Sequence, residues 1–204
     1  KSKPPQNEKT LFQPRSVYAI SKVFAYHSVI HYREAYGVHA SNGILFNHES
    51  PRRGVNFVTK KIVQGLVRIK QGKQKILTLG NLYSKRDWGH AKDYVESMWK
   101  ILQQKEPNDF VIATKTSHSV KDFINICSKK LNINLIWKNR GLKEIGIDKL
   151  TKKIIIKVDK KYFRETEVDD LIGDFTKANK ILKWKPKYSF NKLVDDMIFN
   201  KLNG

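Results

Sequence analysis

Cysteine is almost absent from this chain: Cys127 is the single thiol in 204 residues. One thiol excludes an intramolecular disulfide and any cysteine-based metal site. Its neighbours Phe123, Ile124, Ile126 and Leu131 are apolar, so a buried, inert side chain behaving as a small hydrophobe is expected. Long apolar runs are missing as well. None is long enough to cross a bilayer as a helix. The polar start, KSKPPQNEKT, has no apolar signal core. A soluble cytoplasmic protein without a membrane partner is therefore expected. The start also lacks an initiator Met, as in a fragment or a processed chain.

Acidic residues are scarce. Nineteen Asp and Glu face 40 Lys and Arg, a formal net charge of +21. Such a surplus draws polyanions of any kind, whether nucleic acid, anionic lipid or a diphosphate ligand. It is spread from Lys1 to Lys201, however, without the single-sign block of a basic tail. It consists mostly of Lys and accompanies many Ile and Asn, a bias that A/T-rich coding produces without functional demand. The compositional reading is preferred, and no nucleic-acid partner is expected. What is present is a globular composition, with 40% hydrophobic and 11% aromatic residues. That suffices for one domain, or one domain with a smaller lobe.

Residues 1–15, with Pro4, Pro5 and Pro14, predict an exposed irregular start. Ser16 has the character of an N-cap, and apolar positions three or four apart predict a helix over Val17–Tyr36 closed by Gly37. Gly43-Ile44-Leu45-Phe46 predicts a buried strand, followed by a polar loop over Asn47–Gly54. Further helices are predicted over Phe57–Lys70, Ala91–Gln104, Val120–Lys130, Thr176–Leu182 and Phe190–Leu202. Strands are predicted at Ile76–Leu79, Phe110–Ala113 and Ile154–Val158. On the helix after residue 90, Tyr94, Val95, Met98, Ile101 and Leu102 share the predicted apolar face. Lys138–Lys153 is the least patterned stretch and the candidate for least order. Alternation of strands and helices predicts an α/β layer structure with a mostly parallel sheet.

Four stretches carry chemistry. Tyr18 and Lys22, four apart on a helix, point the same way. A free phenol titrates near about 10 and is a poor base at neutral pH. A nearby ammonium favours its phenolate, so such a pair can take a proton from a hydroxyl. Spacing alone does not separate this from a packed Tyr beside a solvated Lys. Asn42 through Gly54 follows a strand end, where open α/β sheets place ligands, and crowds Asn47, His48, Glu49, Arg52 and Arg53 together. Arg's planar fork suits phosphate, and the other reading is a solvated loop. Gly80 through His90 places Arg86 before a helix, an anion-binding arrangement, or else an exposed Arg beside a packed Trp88. Asp93 is expected to cap or pair. Arg164 and Glu167, three apart, suit a phosphate and a ribose diol, or each other as a surface ion pair.

Taken in order, these stretches resemble one family, the GDP-mannose 4,6-dehydratases of the extended short-chain dehydrogenase/reductase group. The likeness covers Pro14-Arg15-Ser16, Tyr18–Lys22, Asn42–Gly54 with Phe57-Val58-Thr59, Gly80–Tyr94, Asp109–Thr114, Tyr162–Gly173 and Trp184-Lys185-Pro186. The run Asn-Gly-Ile-Leu-Phe-Asn-His-Glu-Ser-Pro-Arg-Arg-Gly is far more specific than the Tyr/Lys pair. The resemblance implies an incomplete Rossmann-type fold with a smaller C-terminal substrate lobe. Core elements would lie mainly in 16–56 and 86–130, and the lobe in 57–85 and 131–204. It implies GDP-mannose as substrate and NADP as a cofactor reduced and reoxidised within one turnover. The product would be GDP-4-dehydro-6-deoxymannose, a fucose precursor.

By position, Tyr18 would act at the carbon 4 hydroxyl, with Lys22 as its partner and a cofactor ligand. His48 and Arg53 would touch NADP. Asn47, Phe57, Val58, Lys61, Asn81, Arg86, Arg164 and Glu167 would hold the GDP-sugar. A homo-oligomer, dimer or tetramer, is implied at full length.

Departures from the family pattern are Val17, Glu165 and Phe175 where Pro is usual, His27 for Trp and Lys183 for Gly. No glycine-rich phosphate loop occurs in the 204 residues. Nor does the family's Ser/Thr-x-Glu. A truncated product, inactive alone, is therefore expected. Other nucleotide-sugar epimerases or reductases, a basic nucleic-acid-binding module, and a remnant that assembles with complete subunits are the alternatives.

Overall fold

Ser16 starts the first helix as its chemistry requires. Its backbone is extended, and its Oγ accepts the Ala19 N–H at 3.1 Å, satisfying one of the helix's free amides. Gly37 ends the helix at φ +62°, a left-handed conformation that costs glycine nothing. The computed structural model describes residues 3–163 and 171–203. Along the chain run α1 (Val17–Tyr36), β1 (Gly43–Leu45), β2 (Asn47–Glu49), α2 (Val58–Lys70), β3 (Leu77–Leu79) and β4 (Lys85–His90). Then come α3 (Ala91–Leu102), β5 (Phe110–Ile112), β6 (Ser117–Ser119), α4 (Val120–Lys130) and β7 (Leu135–Lys138). β8 (Ile145–Asp148), β9 (Ile154–Val158), α5 (Thr176–Leu182) and α6 (Phe190–Asn203) complete it. No helix among the described residues is long and apolar enough to cross a membrane.

The chain divides into two units. One comprises Lys1–His48, Arg86–Ser117 and Asp170–Tyr188; the other comprises Glu49–Lys85, His118–Asp169 and Ser189–Gly204. These limits assign α4 to the second unit and the stretch before Tyr188 to the first, unlike the boundaries expected from sequence.

In the first unit β1 and β5 pair in parallel, with Gly43 opposite Phe110 and Leu45 opposite Ile112. Tyr94 and Ile101 of α3, Phe110 and Ile112 of β5, and Ala178, Leu182 and Trp184 form its core. Each large side chain buried this way contributes about 1.5–3 kcal/mol. Trp184 is oriented by its indole N–H, which donates to the Asp93 carbonyl at 2.9 Å. Asp93 is itself buried and accepts the Lys187 and Tyr188 amides at 3.0 Å, so it pairs as expected. The apolar face of α3 differs from the prediction. Tyr94 and Ile101 are buried together with Asp93 and Ser97, while Val95, Met98 and Leu102 are exposed. The hydrogen bonds that Asp93 accepts turn the helix toward the Trp184 segment, and periodicity does not encode them.

In the second unit α2, α4 and α6 bury Ile62, Val63 and Leu66, Phe123 and Ile124, and Leu193, Val194 and Met197. Cys127 is buried in the same unit, and burial pushes its thiol pKa up to about 12, so the thiol is inert as expected. The sheet order is β3-β9-β8-β7. β3 pairs in parallel with β9, whereas β8 pairs antiparallel with both β7 and β9. Parallel pairing is thus only part of this sheet. Lys138–Lys153, expected to be least ordered, holds the end of β7 and all of β8. Its order comes from β8 pairing with β9 on one side and, across a turn where Asn139 and Gly141 both take φ +62°, with β7 on the other. The predicted loops over Asn47–Gly54 and Gly80–His90 likewise contain β2 and β4. Gly80 is required by close approach, since a Cβ there would lie 2.2 Å from the Tyr162 carbonyl oxygen.

Lys183 closes α5 in the left-handed region, at φ 51° and ψ 34°. A side chain in this region costs about 1–2 kcal/mol, which explains the Gly usual there in the resembling family. Lys183→Gly should raise the unfolding free energy by about 0.5–1 kcal/mol, the relieved strain less glycine's unfolded-chain entropy. Urea denaturation will measure it, and a destabilised variant would contradict this account.

Candidate active site

α1 carries the predicted proton-transfer pair. Tyr18 and Lys22 lie on one face of the helix, with the Lys22 Nζ 5.4 Å from the centre of the Tyr18 ring. Both are exposed, Tyr18 at 72% of its surface. The Tyr18 carbonyl accepts the Ser21 hydroxyl at 2.7 Å. The spacing argument therefore holds in three dimensions.

None of the residues of α1 is buried, so apolar packing does little to locate this pair. Polar contacts to Asp109, just before β5, do so. Arg33 grips Asp109 with both terminal nitrogens, at 2.9 and 3.2 Å. The Tyr26 hydroxyl donates to it at 3.1 Å, and the Asn42 amide and side-chain nitrogens do so at 3.0 Å each. Burial opposes the charged carboxylate, but the hydrogen bonds from Arg33 and Asn42 outweigh it and hold its pKa below the ordinary value. Burial and the nearby Asp109 charge raise the Tyr26 pKa. Asp109 was not singled out from sequence. The available signal was a lone acid directly before a buried strand in a basic chain.

Beyond β1, His48 is half-buried and stacks on Tyr94 with ring centres 4.8 Å apart. Its Nδ1 lies 2.9 Å from the Phe46 carbonyl. A carbonyl only accepts, so Nδ1 carries the proton and Nε2 is left as the acceptor. Asn47, in β2, and Arg86, in β4, are half-buried. Asp87, next to Arg86, is fully buried and accepts the Thr114 amide and hydroxyl at 2.8 and 2.6 Å. Burial raises its pKa, while the Thr114, Gly173 and Lys115 donors act against the rise.

The second unit builds a polar group around buried Glu49. The Thr59 hydroxyl donates to Glu49 at 2.6 Å, and the Arg53 Nε lies 3.1 Å from the same oxygen. The guanidinium stacks on the Phe57 ring at 3.5 Å. Burial raises the Glu49 pKa, and Thr59 and Arg53 lower it. Lys60 fixes the preceding turn by donating to the Pro51 carbonyl at 2.6 Å. Val58 opens α2, and Phe57 at its cap is exposed. Lys61 sits over the Tyr162 ring at 3.7 Å, and burial lowers its pKa. Asn81 accepts the Tyr83 amide at 2.9 Å in a local turn. Arg164 and Glu167 lie outside the described residues. The structure thus joins Tyr18 with Lys22, and Arg53 with Phe57. Among the described residues no group of three or more His, Cys, Asp or Glu could hold a metal ion.

The profile of the GDP-mannose 4,6-dehydratase family matches residues 1–197. The chain belongs to the GDP-mannose 4,6-dehydratase family. The GDP-mannose 4,6-dehydratase of Drosophila melanogaster is 52% identical over 194 residues, or 95% of this chain and 49% of its own length. The human enzyme of that name is also 52% identical, over 95% of this chain and 52% of its own length. The chain therefore spans about half the length of the curated GDP-mannose 4,6-dehydratases it matches. Among solved structures, RMD from Pseudomonas aeruginosa complexed with NADPH superposes with a TM-score of 0.81 at 17% identity, over 98% of this chain and 61% of RMD. A Bacillus anthracis dTDP-glucose 4,6-dehydratase in complex with NAD gives 0.77 at 16% identity, over 97% and 55% of the two chains. At such identities the likeness establishes the shared Rossmann-type fold.

The Asp109 anchor is testable in this GDP-mannose 4,6-dehydratase family chain. An acid held below its ordinary pKa adds stability above the unfolded value, near about 3.9, which is lost as pH falls through the folded value. Asp109→Asn should lower unfolding stability at pH 7 by about 1.5–3 kcal/mol. The gap from wild type should close as pH drops below about 4. Equal denaturation curves at pH 7 would contradict the anchor.

Proposed function

We propose that this chain supplies the proton-transfer pair and the sugar-nucleotide lobe of an NADP-dependent GDP-mannose 4,6-dehydratase. The observation that carries this reading is the Tyr18–Lys22 pair on one face of α1, in a chain about half identical to enzymes of that name. Tyr18 takes the proton from the carbon 4 hydroxyl of mannose. Lys22 stabilises the Tyr18 phenolate that accepts this proton, leaving Tyr18 a neutral phenol, and holds the cofactor ribose. The chemistry the cofactor supplies when bound is hydride storage between carbon 4 and carbon 6 of the ring.

The residues present fit that cofactor. Among the described residues the Arg53 guanidinium pairs with Glu49 through Nε alone, which leaves its terminal amino groups for a phosphate. The unshared Nε2 of His48 provides an acceptor. Asn47, Phe57, Val58, Lys61, Asn81, Arg86, Arg164 and Glu167 hold GDP-mannose. The lowered pKa of Lys61 reflects a desolvated ammonium, which a diphosphate would satisfy. Elimination of water across carbons 5 and 6 needs a further acid–base carboxylate. On the family pattern that group comes from the half of the relatives' length that this chain does not span. The reading also entails a cytoplasmic homo-oligomer.

The test is conversion of GDP-mannose to GDP-4-dehydro-6-deoxymannose by the complete enzyme, this chain together with that other half. Tyr18→Phe should lower kcat by about 10²–10⁴ with little change in KM. Wild-type enzyme that leaves GDP-mannose unchanged, or full activity in Tyr18→Phe, would overturn the proposal.

A further inference from the structure

We infer that Tyr162 is a positioning residue for Lys61, its ring serving as the platform that holds this ammonium for the diphosphate of the sugar nucleotide. The inference rests on the function proposed above. Lys61 is the fourth residue of α2 and closes its first turn, which carries no acidic side chain. A cation there faces the positive end of the helix dipole. Burial adds to the cost and lowers the Lys61 pKa. Among the described residues the charge is met by a ring face. The Lys61 Nζ lies 3.7 Å from the centre of the Tyr162 ring, within the range of a cation–π attraction.

The strands beneath fix Tyr162. β3 and β9 run parallel with Leu79 opposite Val158, so both end on the same edge. The Asp159 amide donates to the Leu79 carbonyl at 2.9 Å, extending the pairing past β9. Asp159 then starts a 3₁₀ turn over Lys160–Tyr162. Its side chain accepts the Lys161 amide at 2.9 Å, and its carbonyl the Tyr162 amide at 3.1 Å. Gly80 lies against the Tyr162 backbone, since a Cβ there would sit 2.7 Å from the Tyr162 carbonyl carbon as well as 2.2 Å from its oxygen. Tyr162 thus has its backbone packed on the residue before Asn81 and its ring against Lys61. Two segments assigned to the GDP-sugar meet at one residue, all within the second unit.

A ring face and a carboxylate hold an ammonium differently. A carboxylate neutralises the charge and competes with any phosphate for it. The ring attracts the ammonium through its quadrupole and leaves the charge whole. It also restrains a side chain with a flexible four-carbon stem, so less freedom is lost when an anion binds. An anion beside Lys61 meets both the ammonium and the positive helix end, so the dipole that disfavours the bare cation favours the complex. Tyr162 is 45% exposed. Its ring is not a core element and can be replaced without loss of the fold.

In the complete enzyme Tyr162→Leu should raise KM for GDP-mannose about three- to tenfold. Tyr162→Phe, which keeps the ring, should stay within about twofold. In a Lys61→Met background Tyr162→Leu should add less than about twofold, because the residue acts through Lys61. In this chain alone, the Lys61 ε-methylene protons should lose their upfield ring-current shift in Tyr162→Leu and keep it in Tyr162→Phe. A residue serving only the fold would raise KM equally in both backgrounds. That result overturns the inference, as does an unchanged KM in Tyr162→Leu. So do Lys61 resonances that do not respond to loss of the ring. Wild-type enzyme without dehydratase turnover would instead remove the functional reading beneath it, with the Lys61 resonances still reporting the contact.

Discussion

The grip of Asp109 on Arg33, Tyr26 and Asn42 is the interaction on which the rest of the first unit depends. A helix of 20 residues with none buried has little hydrophobic attachment, so its position is a matter of directed polar bonds. Desolvation works against the Asp109 charge, and the bidentate Arg33 contact with the Asn42 donors outweighs it. Because Tyr26 and Arg33 share α1 with Tyr18 and Lys22, the same carboxylate sets where the Tyr18/Lys22 pair stands. Asn42 immediately precedes β1, so strand and helix are referred to one point.

A pattern emerges in how a chain with 19 acids against 40 Lys and Arg uses its carboxylates. Asp87, Asp93, Asp109, Glu49 and Glu144 are all buried. Each accepts from two or more donors, or pairs with a cation, on other segments. Glu144 takes the Lys121 ammonium at 2.6 Å and the Tyr83 hydroxyl at 3.1 Å. A buried carboxylate survives only when such donors replace its water. Scarce acids thus become the fixed points of each unit, whereas the Lys surplus stays largely at the surface. The net charge therefore says little about a polyanion partner. The Lys groups that matter are desolvated ones such as Lys61.

In sequence, local features were the legible ones. Ser16, Gly37 and the Val17–Tyr36 period delimited α1 correctly, because caps and helical periodicity act within a few residues. α4, β9 and α5 were equally clear. The buried thiol of Cys127 followed from its apolar neighbours. Tyr18 and Lys22 could be matched because a four-residue spacing fixes their relative direction on any helix.

What sequence could not supply was long-range pairing. β8 looked poorly ordered because it is short and becomes a strand only between β7 and β9. β2 and β4 looked like loops for a similar reason, as three and six residues rich in polar side chains. The face of α3 was misassigned because Asp93, through bonds to Lys187 and Tyr188 more than 90 residues away, decides which side turns inward. The sequence alone thus determined the helices, the family resemblance and the placing of Tyr18 and Lys22 on one helix face. Only the tertiary structure decided which carboxylates organise the site, because a buried charge takes its meaning from donors that chain order does not place beside it.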